Sequence, residues 1–170
     1  MEIVKVATDW AKDEVFSSKF FIFFGIMFLV ATLGFWQLGR TEIAKAFIYP
    51  TLIAGILLLT VGCGLFFSNL PKVSGFTTTY ADNHLAFVKA EIIRTEKIMR
   101  DYENIVFKVI PVIIILASLL IIFIDKPIWR AISITIVAMM ACILFVDTNA
   151  NERVKNYNKQ LLLAEKNLLK

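Results

Sequence analysis

Four long apolar stretches alternate with more polar ones along the chain. The apolar stretches cover residues 20–38, 46–67, 106–124 and 128–146 of the 170. A helix needs about 20 apolar residues to cross the ~30 Å hydrocarbon core of a bilayer, and each stretch meets that length. We therefore predict an all-α membrane protein with four transmembrane helices.

The helical pattern continues into the polar sequence beside the third and fourth stretches. Apolar residues recur there at spacings of three, four and seven, as in a heptad seam, and such a seam needs a partner helix. Only residues 125–127 separate the two stretches, so a tight turn joins them. We predict that residues 82–170 form an antiparallel, coiled-coil-like hairpin with spans at 106–124 and 128–146, extended into the cytoplasm. The seam residues are Leu85, Val88, Ile92, Met99, Tyr102, Val106 and Val109, then Val154, Tyr157, Leu161, Ala164 and Leu168.

The rest of the chain divides into three segments. Residues 20–67 are predicted to form a first transmembrane hairpin, and residues 68–81, which contain Pro71 and several threonines, a linker. Residues 1–19 have an apolar helical face that includes Trp10, a residue type that favours the membrane–water boundary. We predict an amphipathic cytoplasmic or interfacial helix there. The alternative is that this segment packs on the arms of the long hairpin.

Two faces of small residues predict close helix packing within the membrane. Small side chains let two helix backbones approach each other, which favours association in lipid. One face lies on the second predicted span and the other on the fourth. The residues are Thr51, Gly55 and Gly62 on the second span, and Ala131, Thr135 and Ala138 on the fourth.

The distribution of Lys and Arg predicts the orientation. Segments 1–19, 68–108 and 147–170 carry 3, 6 and 5 of the 18 Lys and Arg residues, and the two connections between paired spans carry only four. Segments on the cytoplasmic side of an inner membrane are enriched in these residues. We therefore predict a multi-pass protein of the bacterial inner membrane with both termini in the cytoplasm.

Nothing in the sequence predicts catalysis. The chain is 58% hydrophobic and has one histidine, and both its cysteines, Cys63 and Cys142, fall inside apolar stretches. The sequence contains no metal-ligand spacing, nucleophile motif or phosphate-binding loop. Lys and Arg of the polar arms alternate with acids, which is typical of a solvated helix face and not of a nucleic-acid interface. We predict a non-enzymatic protein without catalytic residues, metal site, cofactor or nucleic-acid partner.

Two surfaces are candidates for contact with a protein partner. Aromatic residues and arginines, which are enriched at binding hot spots, lie together at the predicted periplasmic rim. An ordinary aromatic belt with snorkelling cations explains the same rim. The second candidate, the arm surface, lies on the cytoplasmic arm. The rim comprises Trp36, Gln37, Arg40, Glu42, Lys126, Trp129 and Arg130, and the arm surface comprises Ile93, Ile98 and Arg100.

Three short stretches resemble a family of small four-span bacterial membrane proteins without an assigned activity: residues 16–21 (FSSKFF), 34–39 (GFWQLG) and 125–131 (DKPIWRA). The overall design is also similar to that of bacterial immunity proteins, which sit in the inner membrane and neutralise secreted toxins. This second resemblance implies a protein partner and a lipid environment, but no role for any single residue. The expected function is a non-enzymatic interaction protein, and specifically an immunity protein against a membrane-acting toxin. The alternatives are a homo-oligomeric channel or a scaffold subunit of an envelope complex.

Overall fold

The computed structural model describes Glu2–Leu169. Met1 and Lys170, the outermost residues of the predicted segments 1–19 and 82–170, lie outside the described residues. The described part is helical apart from short connections and contains no sheet. Its elements are α1 (Glu2–Leu38), α2 (Glu42–Ala46), α3 (Ile48–Asp82), α4 (His84–Asp101), a π-helical segment (Tyr102–Val109), α5 (Ile110–Phe123) and α6 (Pro127–Leu168).

Four helical stretches in the described residues are long and apolar enough to cross a membrane, which confirms that part of the prediction. They are Glu2–Leu38, Glu42–Asp82, His84–Phe123 and Pro127–Leu168, with 37, 41, 40 and 42 residues. At 1.5 Å per residue each is ~55–63 Å long, about twice the ~30 Å core of a bilayer. All four therefore extend beyond the length of a span, where the sequence predicted long extensions only for the last two.

The long helices run antiparallel as two hairpins. α1 and α3 are joined through α2, whose first turn is capped by the Thr41 hydroxyl, which accepts a hydrogen bond from the Ala44 N–H (3.2 Å). α5 and α6 are joined by residues 124–126. Both connections lie at one end of the molecule, the loop end, where α2 packs on α6. We call residues 20–67 and 106–146 the span half, and residues 2–19, 68–105 and 147–169 the terminal half.

The predicted linker at residues 68–81 is wrong, because this segment is helical. α3 continues to Asp82 with Pro71 inside it. The helix persists because Phe76 is buried in the core and Tyr80 packs against that core. Their burial outweighs the poor helix propensity of proline and glycine in this segment.

Residues 2–19 are helical and pack on the other helices, which agrees with the alternative to the predicted cytoplasmic or interfacial helix. α1 is one continuous helix from Glu2 to Leu38. Its first turns bury Ile3, Ala7 and Trp10 against the other helices, and Trp10 is only 6% exposed. An apolar helical face needs a dry neighbour, and here that neighbour is the protein interior rather than the lipid surface.

The terminal half has one core, to which all four long helices contribute. Of the predicted seams, Val88, Ile92, Tyr157 and Leu161 lie in this core, to which α1 and α3 also contribute, whereas Val109 and Leu168 are exposed. Where the sequence predicted a core between two helices, the structure has a four-helix bundle. The buried residues are Ile3, Ala7, Trp10 and Ala11 of α1, Phe76 of α3, Phe87, Val88 and Ile92 of α4, and Tyr157 and Leu161 of α6.

The span half is packed less evenly. α1 and α3 lie so close that a Cβ added to Gly62 would come within 2.8 Å of the backbone nitrogen of Ile22. α6 packs on this pair through a small core of Phe21, Leu58 and Val146. The result is a three-helix core.

α5 lies outside that three-helix core. In the described residues it packs on α6 and on neither α1 nor α3, and only Ile110 and Ala117 are buried. The π-helical segment directly precedes it, with Pro111 in the first turn of α5. A proline ring clashes with the carbonyl four residues earlier in a regular α-helix, and wider π turns relieve that clash. The disturbance of the helix at Pro111 therefore takes the form of a π segment on its N-terminal side.

Candidate functional site

A buried polar cluster joins α1, α4 and α6 in the terminal half. Glu91 (8% exposed) accepts hydrogen bonds from Arg94 Nε (2.9 Å) and from the Tyr157 hydroxyl (2.8 Å). A second guanidinium nitrogen of Arg94 also contacts the Glu91 carboxylate. The Arg94 guanidinium lies 4.5 Å from the centre of the Trp10 ring, and the Tyr157 ring stacks on Trp10 with centroids 5.2 Å apart. One carboxylate thus holds both groups that cover the indole.

Other buried polar groups adjoin this cluster. Fully buried Thr95 accepts a hydrogen bond from Asn158 Nδ2 (2.7 Å), which ties α4 to α6 a second time. On α3, Lys72 donates to Asn69 Oδ1 (2.8 Å). Burial lowers the pKa of Lys72, and the nearby charge of Arg94 lowers it further. Each of the four long helices therefore places a polar or ionisable side chain inside the bundle.

A second ion pair links α6 to α1 where the terminal half meets the span half. Arg153 donates to Glu14 Oε1 at 3.2 Å and to Ser17 Oγ at 2.6 Å. The side chains of Arg153 and Glu14 are only 26% and 15% exposed, and Ser17 is buried. Because one guanidinium bonds two residues of α1, the contact fixes both the spacing and the register of the two helices.

Burial changes the charge states around this ion pair. Burial, and to a lesser extent the negative charge of Glu14, raises the pKa of Asp147 to about 7. Burial also raises the pKa of Glu14, against the opposing effect of Arg153. The pKa of the Tyr102 hydroxyl is raised by burial and by both carboxylates. Asp147 is therefore a carboxyl group that titrates near neutral pH.

These clusters cross-link helices. Glu91 of α4 bonds Arg94 within its own helix and Tyr157 of α6. Arg153 of α6 bonds Glu14 and Ser17 of α1. In Glu2–Leu169 no three His, Cys, Asp or Glu residues gather in a group that would hold a metal ion. The arrangement can hold the four helices in one register, and Asp147 adds a proton-dependent charge to it.

The structure places the predicted rim residues at the loop end, on α1, α2, α6 and their connections. Trp36 and Trp129 are 69% and 45% exposed, and Gln37, Arg40, Glu42 and Lys126 are exposed. Arg130 is half-buried and donates to Asp125 (2.9 Å). Within the described residues no side-chain hydrogen bond joins two members of the predicted rim, and one backbone bond runs from the Arg130 N–H to the Lys126 carbonyl (3.1 Å).

The predicted arm surface is divided by the structure. Ile93 is 67% exposed and Arg100 is exposed, whereas Ile98 packs against the core of the terminal half. Arg100 lines a groove of about 470 Å³ between α4, the π-helical segment and α6. Its other lining residues include Glu96, Met99, Glu103, Phe107 and Lys155.

Most of the predicted packing residues lie in helix contacts. Thr51, Gly55 and Gly62 face α1, and the Thr51 hydroxyl bonds the Thr32 hydroxyl at 2.9 Å. Ala131 and Thr135 are buried, but Ala138 is exposed. Packing of Ala138 against another helix stays a prediction.

Sequence reasoning missed both polar clusters, although the heptad pattern contained a signal for each. Glu91 and Arg94 are three residues apart and look like an ordinary surface pair. Thr95, however, fills the position that is missing between Ile92 and Met99 in the predicted seam. Continued backwards from Val154, the second seam reaches Asp147. Polar residues at seam positions indicate buried polar contacts.

No family model, no curated protein and no solved structure matches the chain.

Proposed function

We propose that this chain is a non-enzymatic interaction protein of the bacterial inner membrane, with its terminal half in the cytoplasm and a protein partner bound at the membrane surface. The excess of Lys and Arg in the terminal half supports the orientation. The four apolar helices support membrane insertion. The contact surface is the part of the proposal that the geometry of the terminal half supports most directly.

The observation that carries the proposal is exposed apolar surface in the half that we place in water. Ile93 on α4 is 67% exposed and Ile105 in the π-helical segment is 55% exposed. Ile93 lies about one helical turn before Glu96, which lines the groove together with Arg100, and Met99 and Phe107 supply further apolar surface in that groove. Isolated exposed apolar residues are common, but a run of them beside a groove is typical of an interaction site.

The charges around the groove indicate what the partner presents. Glu96 and Glu103 lie beside Arg100 and Lys155, so acidic and basic side chains alternate around an apolar centre. An amphipathic helix with charges of both signs beside its apolar stripe fits such a surface. Charge complementarity at the edge then sets specificity and the association rate more than affinity.

A site-specific photo-crosslinker tests the surface. We expect a crosslinker at Ile93 or Arg100 to capture one defined protein in intact cells, and the same crosslinker at Lys12, on the exposed face of α1, to capture none. An Ile93→Glu substitution should abolish capture at Arg100 while leaving the protein folded. Equal capture at Lys12 and Arg100 would contradict the proposed surface.

Cysteine accessibility tests the orientation separately. Single cysteines at Thr41 and Lys126 should react with a membrane-impermeant maleimide in spheroplasts. Cysteines at Lys89 and Lys159 should react only after the cells are permeabilised. Reaction of a cysteine at position 159 in intact spheroplasts would show that the terminal half faces the periplasm. That result would contradict both the proposed orientation and a cytoplasmic partner.

A more specific proposal, which uses the loop end as the contact surface instead of the terminal half, is an immunity protein whose partner is a secreted toxin that acts at the membrane. It is supported by the shape of the chain and by exposed aromatic and basic residues at the loop end, the side that a toxin arriving from outside reaches first. Co-culture of a deletion strain with its parent tests it: we expect the parent to kill the deletion strain. Survival of the deletion strain would contradict the immunity function. The same surfaces would then belong to a scaffold subunit of an envelope complex, and the crosslinked protein would identify that complex.

The homo-oligomeric channel has less support. Its lining would need a polar or small-residue helix face open to a central pore. Thr51, Gly55 and Gly62 instead lie against α1 within the same chain. Planar-bilayer recordings of the purified protein should show no conductance, and a conductance that disappears in a Gly55→Leu variant would restore the channel.

A further inference from the structure

An apolar groove of about 320 Å³ lies between α3 and α6 in the span half. Its floor consists of Pro50, Ala54 and Thr135, which are all buried. Larger side chains such as Ile53 and Ile132 form its walls, so the groove exists because small residues lie between large ones. α5 contributes no residue to the lining. The groove is therefore open to the surrounding lipid.

The length of the groove corresponds to one leaflet of a bilayer. It begins beside Tyr49 and Ile128, in the first turns of α3 and α6, and extends to Leu57 and Met139. At 1.5 Å per residue these limits are ~12–17 Å apart, about half of the ~30 Å bilayer core. The volume is at the lower end of the ~300–1,000 Å³ typical of ligand pockets. A single alkyl chain entering from the loop end has the matching shape.

Two exposed lysines are close in sequence to the residues that limit the groove at the loop end. Lys45 lies four residues before Tyr49, and Lys126 lies two residues before Ile128, at the start of α6, where no side chain caps the helix N-terminus. The loop end as a whole carries four cations, Arg40, Lys45, Lys126 and Arg130, against the acids Glu42 and Asp125, and Asp125 is already paired with Arg130. A negative group is favoured there both by the lysines and by the positive end of the α6 dipole.

We propose that the groove binds one acyl chain of an anionic phospholipid, whose phosphate lies between Lys45 and Lys126. The chain itself gains little by leaving bulk lipid, because lipid tails are as apolar as the groove. The head group therefore provides the selectivity, and the groove fixes where the lipid sits. Each lysine near the membrane surface should favour an anionic over a zwitterionic lipid by about 5-fold.

Native mass spectrometry of the detergent-purified protein tests the proposal. The protein is mixed with equal amounts of phosphatidylglycerol and phosphatidylcholine that have identical acyl chains. We expect one phosphatidylglycerol to remain bound, favoured by about 10-fold or more. Lys45→Gln with Lys126→Gln should remove the preference, and the charge-matched control Lys89→Gln with Lys159→Gln, in the terminal half, should retain it.

A groove-filling pair of variants tests the position of the chain. Ile132→Trp fills the groove and should prevent retention of the lipid, whereas Ile134→Trp, on the lipid-exposed face of the same helix, should not. If Ile132→Trp fails to fold, the lysine pair decides the question. Equal binding of the two lipids, an unchanged preference in the lysine double variant, or a dimer that excludes lipid from the groove would each overturn the proposal.

Discussion

The two halves of the molecule use the same four chain segments but hold them together by different means. In the terminal half one core unites four helices, with stacked aromatic rings, a buried carboxylate and an inter-helix arginine. In the span half, α1 and α3 are joined through glycines and a threonine pair, and α5 packs along a single neighbour. Large apolar side chains such as Ile115 and Phe23 point outwards there, at 58% and 55% exposure.

We attribute the difference to the proposed surroundings of each half, which are lipid for the span half and water for the terminal half. In water, apolar side chains gain free energy by leaving the solvent, so four amphipathic helices collapse on one core. In lipid that gain is absent, and helices associate through close backbone packing and a few hydrogen bonds. A helix such as α5, which has bulky residues on most sides, therefore gains little free energy by packing on more than one neighbour. The same difference orders the expected effects of mutation.

The largest effect is expected at Glu91. Glu91→Ala leaves the Arg94 guanidinium without its carboxylate and the Tyr157 hydroxyl without an acceptor. Removing one partner of a buried ion pair should lower the free energy of unfolding by about 3 kcal/mol. Chemical unfolding in detergent micelles, monitored through hydrogen exchange of residues 85–100, measures this loss of stability. The matched control is Lys12→Ala, which removes an exposed pair with Asp9 and should cost less than about 0.5 kcal/mol.

The next effect is expected at the glycine contact of the span half. A Cβ at Gly62 meets backbone as well as side-chain atoms of α1, whereas one at Gly64 meets nothing within 4 Å. Gly62→Val should therefore separate α1 from α3 and cost about 2 kcal/mol, and Gly64→Val should be nearly neutral. The rate at which a disulfide forms between single cysteines placed in α1 and α3 reports the separation of the two helices. Equal losses for the two variants would refute the close packing.

A third test uses pH and applies to the terminal half. The pKa of Asp147 is about 7 in the folded chain against an ordinary value of 3.8, so the folded state binds the proton more tightly. The stability from this group is complete below the ordinary pKa and is lost as pH rises through about 7. We expect the free energy of unfolding to fall by on the order of 1–2 kcal/mol between about pH 4 and pH 8, discounted because the group is partly exposed.

Asp147→Asn separates this effect from that of Glu14, whose pKa is raised in the same direction. The variant should keep the stability of the protonated wild type at every pH, so its free energy of unfolding should depend much less on pH. If the variant shows the same slope as the wild type, the titration belongs to another group and the assignment to Asp147 fails.

The smallest effect is expected for the threonine pair. Thr32→Val removes the hydrogen bond to Thr51, but Thr51 keeps its bond to the Phe47 carbonyl at 2.7 Å. Inter-helix hydrogen bonds in membranes average about 0.6 kcal/mol, so a double-mutant cycle with Thr51→Val should give a coupling near that value. A coupling as large as the loss at Glu91 would remove the contrast between the two halves.

Sequence patterns predicted the span half better than the terminal half, for physical reasons. An apolar run of about 20 residues has few alternatives to a membrane helix, and glycines seven residues apart suggest a close contact. Pro71 and the threonines after it, in contrast, carry the local signature of a linker, and only the burial of Phe76 shows that the helix continues. The buried cluster around Glu91 likewise includes Trp10 of α1, and the apolar face of residues 1–19 fits the membrane surface as well as it fits the hairpin arms.

Trp10 distinguishes the four-helix core most directly from a two-helix hairpin with a surface-lying N-terminal helix. With Trp36 and Trp129 replaced by phenylalanine, Trp10 is the only tryptophan in the chain. The shared core predicts that its fluorescence is shielded both from aqueous acrylamide and from lipids brominated near the head group, because the ring lies between Arg94 and Tyr157. Strong quenching by the brominated lipid would place Trp10 at the membrane surface and contradict the shared core.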